Sequence, residues 1–197
     1  MADLQAEVQA AADDLVAGGS ETGLQIAVHR YGRVVADVIT GVEDAGTAAP
    51  VSHGTLFYAA STAKGVAASL AHVLAERGDI PYDLRLASVW PEFAACGKER
   101  TTLRHVLMHT AGLPGLPRDT TVTDLSSWAF GYSPDRPGGV PSRRGSTFGM
   151  MGANGSAAYA DIDSGLAVAV MRNGPAAGWL AAVTRIDRLI AGTEEYQ

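Results

Sequence analysis

Two sets of strand-like segments lie at opposite ends of this chain, and they constrain its fold more than any other feature. In "GLQIAVHRYGRVVADVITG", Leu24, Ile26 and Val28 alternate, Tyr31-Gly32 supplies a turn, and apolar residues return from Val34 to Ile39. Alternation on both sides of a two-residue turn is the pattern of an antiparallel hairpin. Far downstream, "STFGMM", "SAAYADI" and "GLAVAVMRN" read as three more strands, the last two joined through Asp163-Ser164-Gly165. Tight turns imply antiparallel pairing, and a half-buried sheet needs helices to cover one face.

Those helices are legible at both termini. Leu4, Val8, Ala12, Leu15 and Val16 follow helical spacing, and Gly18-Gly19 ends the pattern. "GWLAAVTRIDRLIAG" closes the chain with Leu180, Val183, Ile186, Leu189 and Ile190 on one stripe. The expected fold is therefore α+β. It is an antiparallel sheet of about five strands, made from N- and C-terminal segments together and flanked by helices.

The middle is less regular. A loop over 42–57 leads to a helix that starts near Ser61 and ends near Gly78. "DIPYDLRLASVWPEF" has no sustained period and reads as mostly irregular, and Thr101 or Thr102 caps a short helix, "TLRHVLMHT". From Pro114 to Gly145 only "DLSSWAF" hints at a helical turn. The chain thus divides into 1–113, an irregular stretch over 114–145, and 146–197, all within one domain.

Composition narrows the function classes. The chain has 197 residues, of which 47% are hydrophobic and 18% charged, as in a soluble globular domain. A net charge of -6 without a basic cluster argues against nucleic acid and anionic membranes as partners. The N-terminus carries acids where a signal peptide is basic, and no stretch reaches the roughly 18 apolar residues of a membrane span. A cytoplasmic location is expected. The single cysteine, Cys96, reads as a small apolar filler.

The chemistry turns on "YAASTAKGVAASLAHVLAERGD", which sets Ser61 and Lys64 three apart at a helix start. With 12 serines and two lysines, an S-x-x-K arises by chance about once in eight such chains. The choice of cation carries more weight, since the chain uses 13 arginines and only Lys64 and Lys98. Arginine keeps its proton near neutral pH, whereas a lysine becomes a base once burial or charge lowers its pKa. Alanines 59, 60, 63, 67 and 68 leave room around the pair. An activated nucleophile and an ordinary helix start with a solvated cation both fit.

In its context the stretch resembles the serine β-lactamase-like superfamily, the penicillin-recognising hydrolases, and within it the class C-like and esterase branch. "LFYAASTAKGVAASLAHVLAERGDI", "KERTTLRHVLMHTAGLP" and "TFGMMGANGSAAYADIDSGLAVAVMRN" follow in the family's order behind the hairpin. The resemblance implies acyl transfer on small esters, amides or β-lactams, with no cofactor. Ser61 would be the nucleophile and Lys64 its base, with the backbone amides of Ser61 and Ala153 holding the oxyanion. Met150, Met151 and Gly152 would line the substrate.

Three departures qualify that implication. The family's Tyr-x-Asn motif is absent, and Tyr132-Ser133-Pro134 is the nearest candidate. Met150 stands where the family places Lys or His, and a thioether cannot carry that polar role. Only 36 residues, 110–145, fill the interval usually occupied by a mostly helical second domain. An internal deletion joined near residues 125–131 is the expected origin. An inactive scaffold, or a homodimer covering apolar surface bared by the deletion, are the competing expectations.

Other features read structurally. His105 and His109 have i, i+4 spacing on the predicted helix, but without a third ligand no metal is expected. Asp161–Gly165 reads as a hairpin turn rather than a calcium loop. Gly149, Gly152 and Gly155 precede no helix and make no dinucleotide motif, and Trp90, Trp128 and Trp179 read as packing.

Overall fold

In the computed structural model, which describes residues 3–112, 146–174, 178 and 180–192, a single five-stranded antiparallel sheet has the strand order β2-β1-β5-β4-β3. The strands are β1 (Gly23–Arg30), β2 (Arg33–Gly41), β3 (Thr147–Met151), β4 (Ala157–Asp161) and β5 (Leu166–Arg172). The front hairpin and the back three strands meet at the β1–β5 pair, in register from Leu24↔Arg172 to Arg30↔Leu166. The α+β expectation, with one sheet built from both ends, holds.

Local chemistry sets the hairpin. Tyr31 and Gly32 sit at φ +47° and +76°, the two left-handed positions of a type I′ turn, whose twist matches the strands it joins. Only glycine adopts such a conformation without strain, so Gly32 takes one position at little cost.

Helices α1 (Leu4–Ala17) and α4 (Ala181–Gly192) cover one face of the sheet. Val8 and Leu15 of α1 and Ile186 and Ile190 of α4 bury against Leu24, Ile26, Val168 and Val170. Each such side chain contributes roughly 1.5–3 kcal/mol through burial, which is why the alternation read from sequence is decisive. The Asp3 carboxylate accepts from the Gln5 amide and caps α1. Asp14 and Arg185 link α1 to α4 at 2.7 Å on the surface, a pair worth about 0–1 kcal/mol.

The chain divides into two compact units, Met1–Ala63 with Asp135–Gln197, and Lys64–Pro134. The sheet and its two helices belong to the first. In the second, α2 (Thr62–Glu76, of which the unit holds all but the first two residues) is followed by short 3-10 turns and by α3 (Leu103–Leu107). Segments 82–85 and 101–104 are stitched by Leu103 N donating to Leu84 O at 2.9 Å and Arg104 N to Tyr82 O at 2.8 Å. Thr102 caps α3 as expected, and His105 Nδ1 accepts from the Thr102 amide at 3.0 Å to complete a capping box.

"DIPYDLRLASVWPEF" is mostly irregular as expected, with short 3-10 turns added at Leu86–Ser88 and Pro91–Gly97. Pro91 presets φ for the second of them. Several expectations for this unit need correction. Cys96 is exposed at φ +59°, within the kink of that turn, and is not a core filler. α3 ends at Leu107, so His109, at φ +55°, lies beyond it and does not share a helix face with His105. Trp90 is 58% exposed, touching Phe93 at 5.4 Å between ring centroids.

Candidate active site

Ser61 immediately precedes α2 and is half-buried. The turn that presents it is tight: the Thr62 amide donates to Ala59 O at 3.1 Å, and the buried Thr62 hydroxyl donates to the same oxygen. Ala60, directly before Ser61, is held at φ +48°. For an alanine this left-handed conformation costs about 1–2 kcal/mol, so packing around the segment must hold it.

That packing comes from the end of β3. A Cβ built on Gly152 would lie 3.0 Å from both Ala59 O and Ala60 Cβ, and 2.6 Å from Asn154 Oδ1. A side chain at 152 would therefore displace Asn154 and crowd the serine turn where the strand passes it. Asn154 Nδ2 donates to Tyr58 O at 2.7 Å and tethers the β3–β4 turn to the same segment. Gly152 N donates to Ser156 O at 2.7 Å and closes that turn.

The other sequence-derived candidates fall as follows. Met150 is 1% exposed and pairs with Ala158, on the sheet face opposite the one that α1 and α4 cover. Met151 is half-buried against the core, Gly152 is buried, and Ala153 is exposed at the turn. Lys64 is exposed on the first turn of α2. Tyr132, Trp128, the 114–145 segment and the 125–131 junction lie outside the described residues, as does Trp179.

Within the second unit, burial first and the Lys64 charge second hold the His109 imidazole below its ordinary pKa of 6.5. The Lys64 ammonium therefore lies within electrostatic reach of His109. His72 Nδ1 and the Tyr82 hydroxyl share a 2.9 Å hydrogen bond in the same unit.

Sequence reading missed Asn154 and the pair behind it. Arg172 Nε donates to Glu21 Oε2 at 2.7 Å, and their side chains are 1% and 0% exposed. Arg172 Nη1 donates to the Asn154 carbonyl at 2.7 Å. Arg172 was detectable, because it occupies the inward parity of "LAVAVMR" after Leu166, Val168 and Val170. An inward arginine demands a partner. Asn154 carries no such signal.

This sheet, half covered by its terminal helices and carrying a serine at the head of α2, is of the β-lactamase-like class. A family model for Beta-lactamase matches residues 8–136, and the chain belongs to that family. It is 41% identical over 103 residues to the esterase/beta-lactamase LipL of Mycobacterium tuberculosis, a match covering 52% of this chain and 24% of LipL. It is 36% identical to a family VIII carboxylesterase of known structure, with a TM-score of 0.52 over 62% of this chain and 33% of that one. A penicillin-binding protein homologue from Caulobacter crescentus shares the fold, at a TM-score of 0.74 and 18% identity over 93% of this chain and 96% of that one. The chain spans about a quarter of the length of the curated relatives it matches. Among the described residues no helix is long and apolar enough to cross a membrane.

Proposed function

We propose that the chain is an acyl-transferring serine hydrolase acting on small esters or amides, with Ser61 as nucleophile. Lys64, three residues on, takes the Ser61 proton as Oγ bonds to the substrate carbonyl carbon. The amides of Ser61 and Ala153 stabilise the oxyanion. Collapse expels the alcohol or amine with that proton and leaves an acyl-enzyme. Water then attacks the acyl-enzyme carbonyl and gives a proton to Lys64, which passes it to Ser61 Oγ as the acid is released. Met150, Met151 and Gly152 form the strand beside which the substrate lies. Small esters are favoured over β-lactams, because the interval that builds the far side of the cleft in the family is only 36 residues long here.

One observation carries the reading: the strained turn at Ala60, one residue before Ser61, is packed closely against Gly152, where a Cβ would meet Ala59 O and Ala60 Cβ at 3.0 Å. Strain of this kind gathers where a reactive group must be presented. The names of LipL and the carboxylesterase point to the same chemistry.

A second reading, a retired site on a surviving scaffold, is favoured by the absence of a Tyr-x-Asn motif and by Met150, whose thioether cannot carry the polar role of the family's Lys or His. Intact mass after incubation with a fluorophosphonate probe separates the two. The hydrolase reading expects an adduct on the wild type and none on Ser61→Ala. No adduct on a wild type whose circular dichroism shows a folded chain establishes the scaffold instead.

A further inference from the structure

Behind the serine turn runs a chain of hydrogen bonds that the proposed chemistry does not use directly. It starts at Glu21, in the link between α1 and β1, and ends at the carbonyl of Tyr58. Glu21 Oε2 receives Arg172 Nε at 2.7 Å. The same guanidinium donates through Nη1 to the Asn154 carbonyl at 2.7 Å, and the Arg172 backbone amide donates to Ser156 Oγ at 3.1 Å. Asn154 then uses both ends of its amide. Oδ1 accepts from the Ser156 amide at 3.2 Å, while Nδ2 donates to Tyr58 O at 2.7 Å and to Ser156 Oγ at 3.1 Å.

We propose that Asn154 is the positioning residue of the Ser61 turn, held in place by the buried Arg172–Glu21 pair. The inference rests on the reading of Ser61 as the acylated residue. Its physical basis is division of labour. Gly152 lets the strand approach the Ala59–Ala60 turn, but contact alone leaves the segment free to slide along the strand. The Asn154–Tyr58 bond sets that register, and with it the separation of the Ser61 and Ala153 amides. An asparagine is suited to this task because one side chain both closes its own turn and donates outward. Its backbone is in turn pinned by a charge-assisted bond from an arginine fixed at both ends of its fork. Glu21, Arg172 and Asn154 come from three separate places in the chain and converge only in the fold.

Asn154→Asp isolates the effect. An aspartate keeps the acceptor for the Ser156 amide and so keeps the turn, but it faces Tyr58 O with an oxygen instead of a donor. Two readouts are taken on the full chain: the rate of acylation by the fluorophosphonate probe, and hydrogen exchange of the amides from Ala59 to Ala63. The expected result is a fall in acylation of about tenfold to a hundredfold, with exchange over 59–63 accelerated at least about tenfold. Exchange across β4 and β5 stays at the wild-type rate. Loss of thermal midpoint with acylation and local exchange unchanged would mean a structural asparagine and overturns the proposal. If the wild type itself forms no adduct, the hydrolase reading falls. The exchange result then decides the positioning role alone, faster exchange upholding it and unchanged exchange sinking it.

Discussion

Arg172 shows how much a single residue can demand of this fold. Its guanidinium and the Glu21 carboxylate are almost fully removed from solvent, and burial pushes the Glu21 carboxyl above its ordinary value of 4.5 against the opposing hydrogen bond and charge of Arg172. The folded protein therefore holds the Glu21 proton to higher pH than the unfolded chain does. From that group, stability declines as pH rises through the interval above 4.5. Replacing Glu21 by Gln removes that slope, which urea unfolding as a function of pH would register. Removing the cation alone is a different matter: Arg172→Met strands a buried carboxylate and is expected to cost about 3–5 kcal/mol in the same assay. Pairing it with Glu21→Leu recovers much of that loss, since well-packed apolar side chains can replace a buried pair. The double variant still lacks the donor to the Asn154 carbonyl, so acylation stays slow while stability returns.

At the scale of elements, the two units depend on different devices. α4 docks on the sheet through apolar burial and through the buried hydrogen bond from the Tyr159 hydroxyl to Asp187. Tyr159→Phe leaves a buried carboxylate oxygen without that donor and is expected to cost about 1–3 kcal/mol by chemical denaturation. α3, with five residues, is too short to stand on propensity and relies on the Thr102 capping box. Thr102→Ala should lower stability by about 1 kcal/mol. His109, just beyond α3, is held below its ordinary pKa, so the unfolded chain takes up its proton more readily than the folded one. Its contribution is present above about pH 6.5 and is lost as pH falls below that value. His109→Gln should flatten this acid-side decline in a pH series of thermal midpoints.

For the whole molecule the decisive contact is β1 against β5. Leu24 pairs with Arg172 across most of the chain's length, and such distant pairing makes folding slow. β5 is the central strand of the order β2-β1-β5-β4-β3. A fragment ending at residue 145 thus keeps the front hairpin with a bare inner edge and no central partner. It is expected to lack a cooperative thermal transition by circular dichroism and to aggregate through that edge. A cooperative, monomeric fragment would show that the front half folds without the back strands.

The hairpin, its turn at Tyr31-Gly32, the three back strands and both terminal helices were legible in the sequence. Each announces itself through local periodicity and turn chemistry, and each buries an apolar face that has few other ways to hide. Ser61 and Lys64 stood out in the sequence as candidates, because two lysines among 15 basic residues make an S-x-x-K conspicuous, and their chemistry is the proposal made above. The 3-10 turns and the exposure of Cys96 were not, since i, i+3 bonding over a few residues leaves no period to read. What the sequence alone could not decide is how the serine turn is held. Gly152 against Ala59 and Ala60, Asn154 against Tyr58, and Arg172 against Glu21 join residues far apart in the chain. Only the tertiary fold decides those pairings, because no local rule of spacing or propensity acts across such separations.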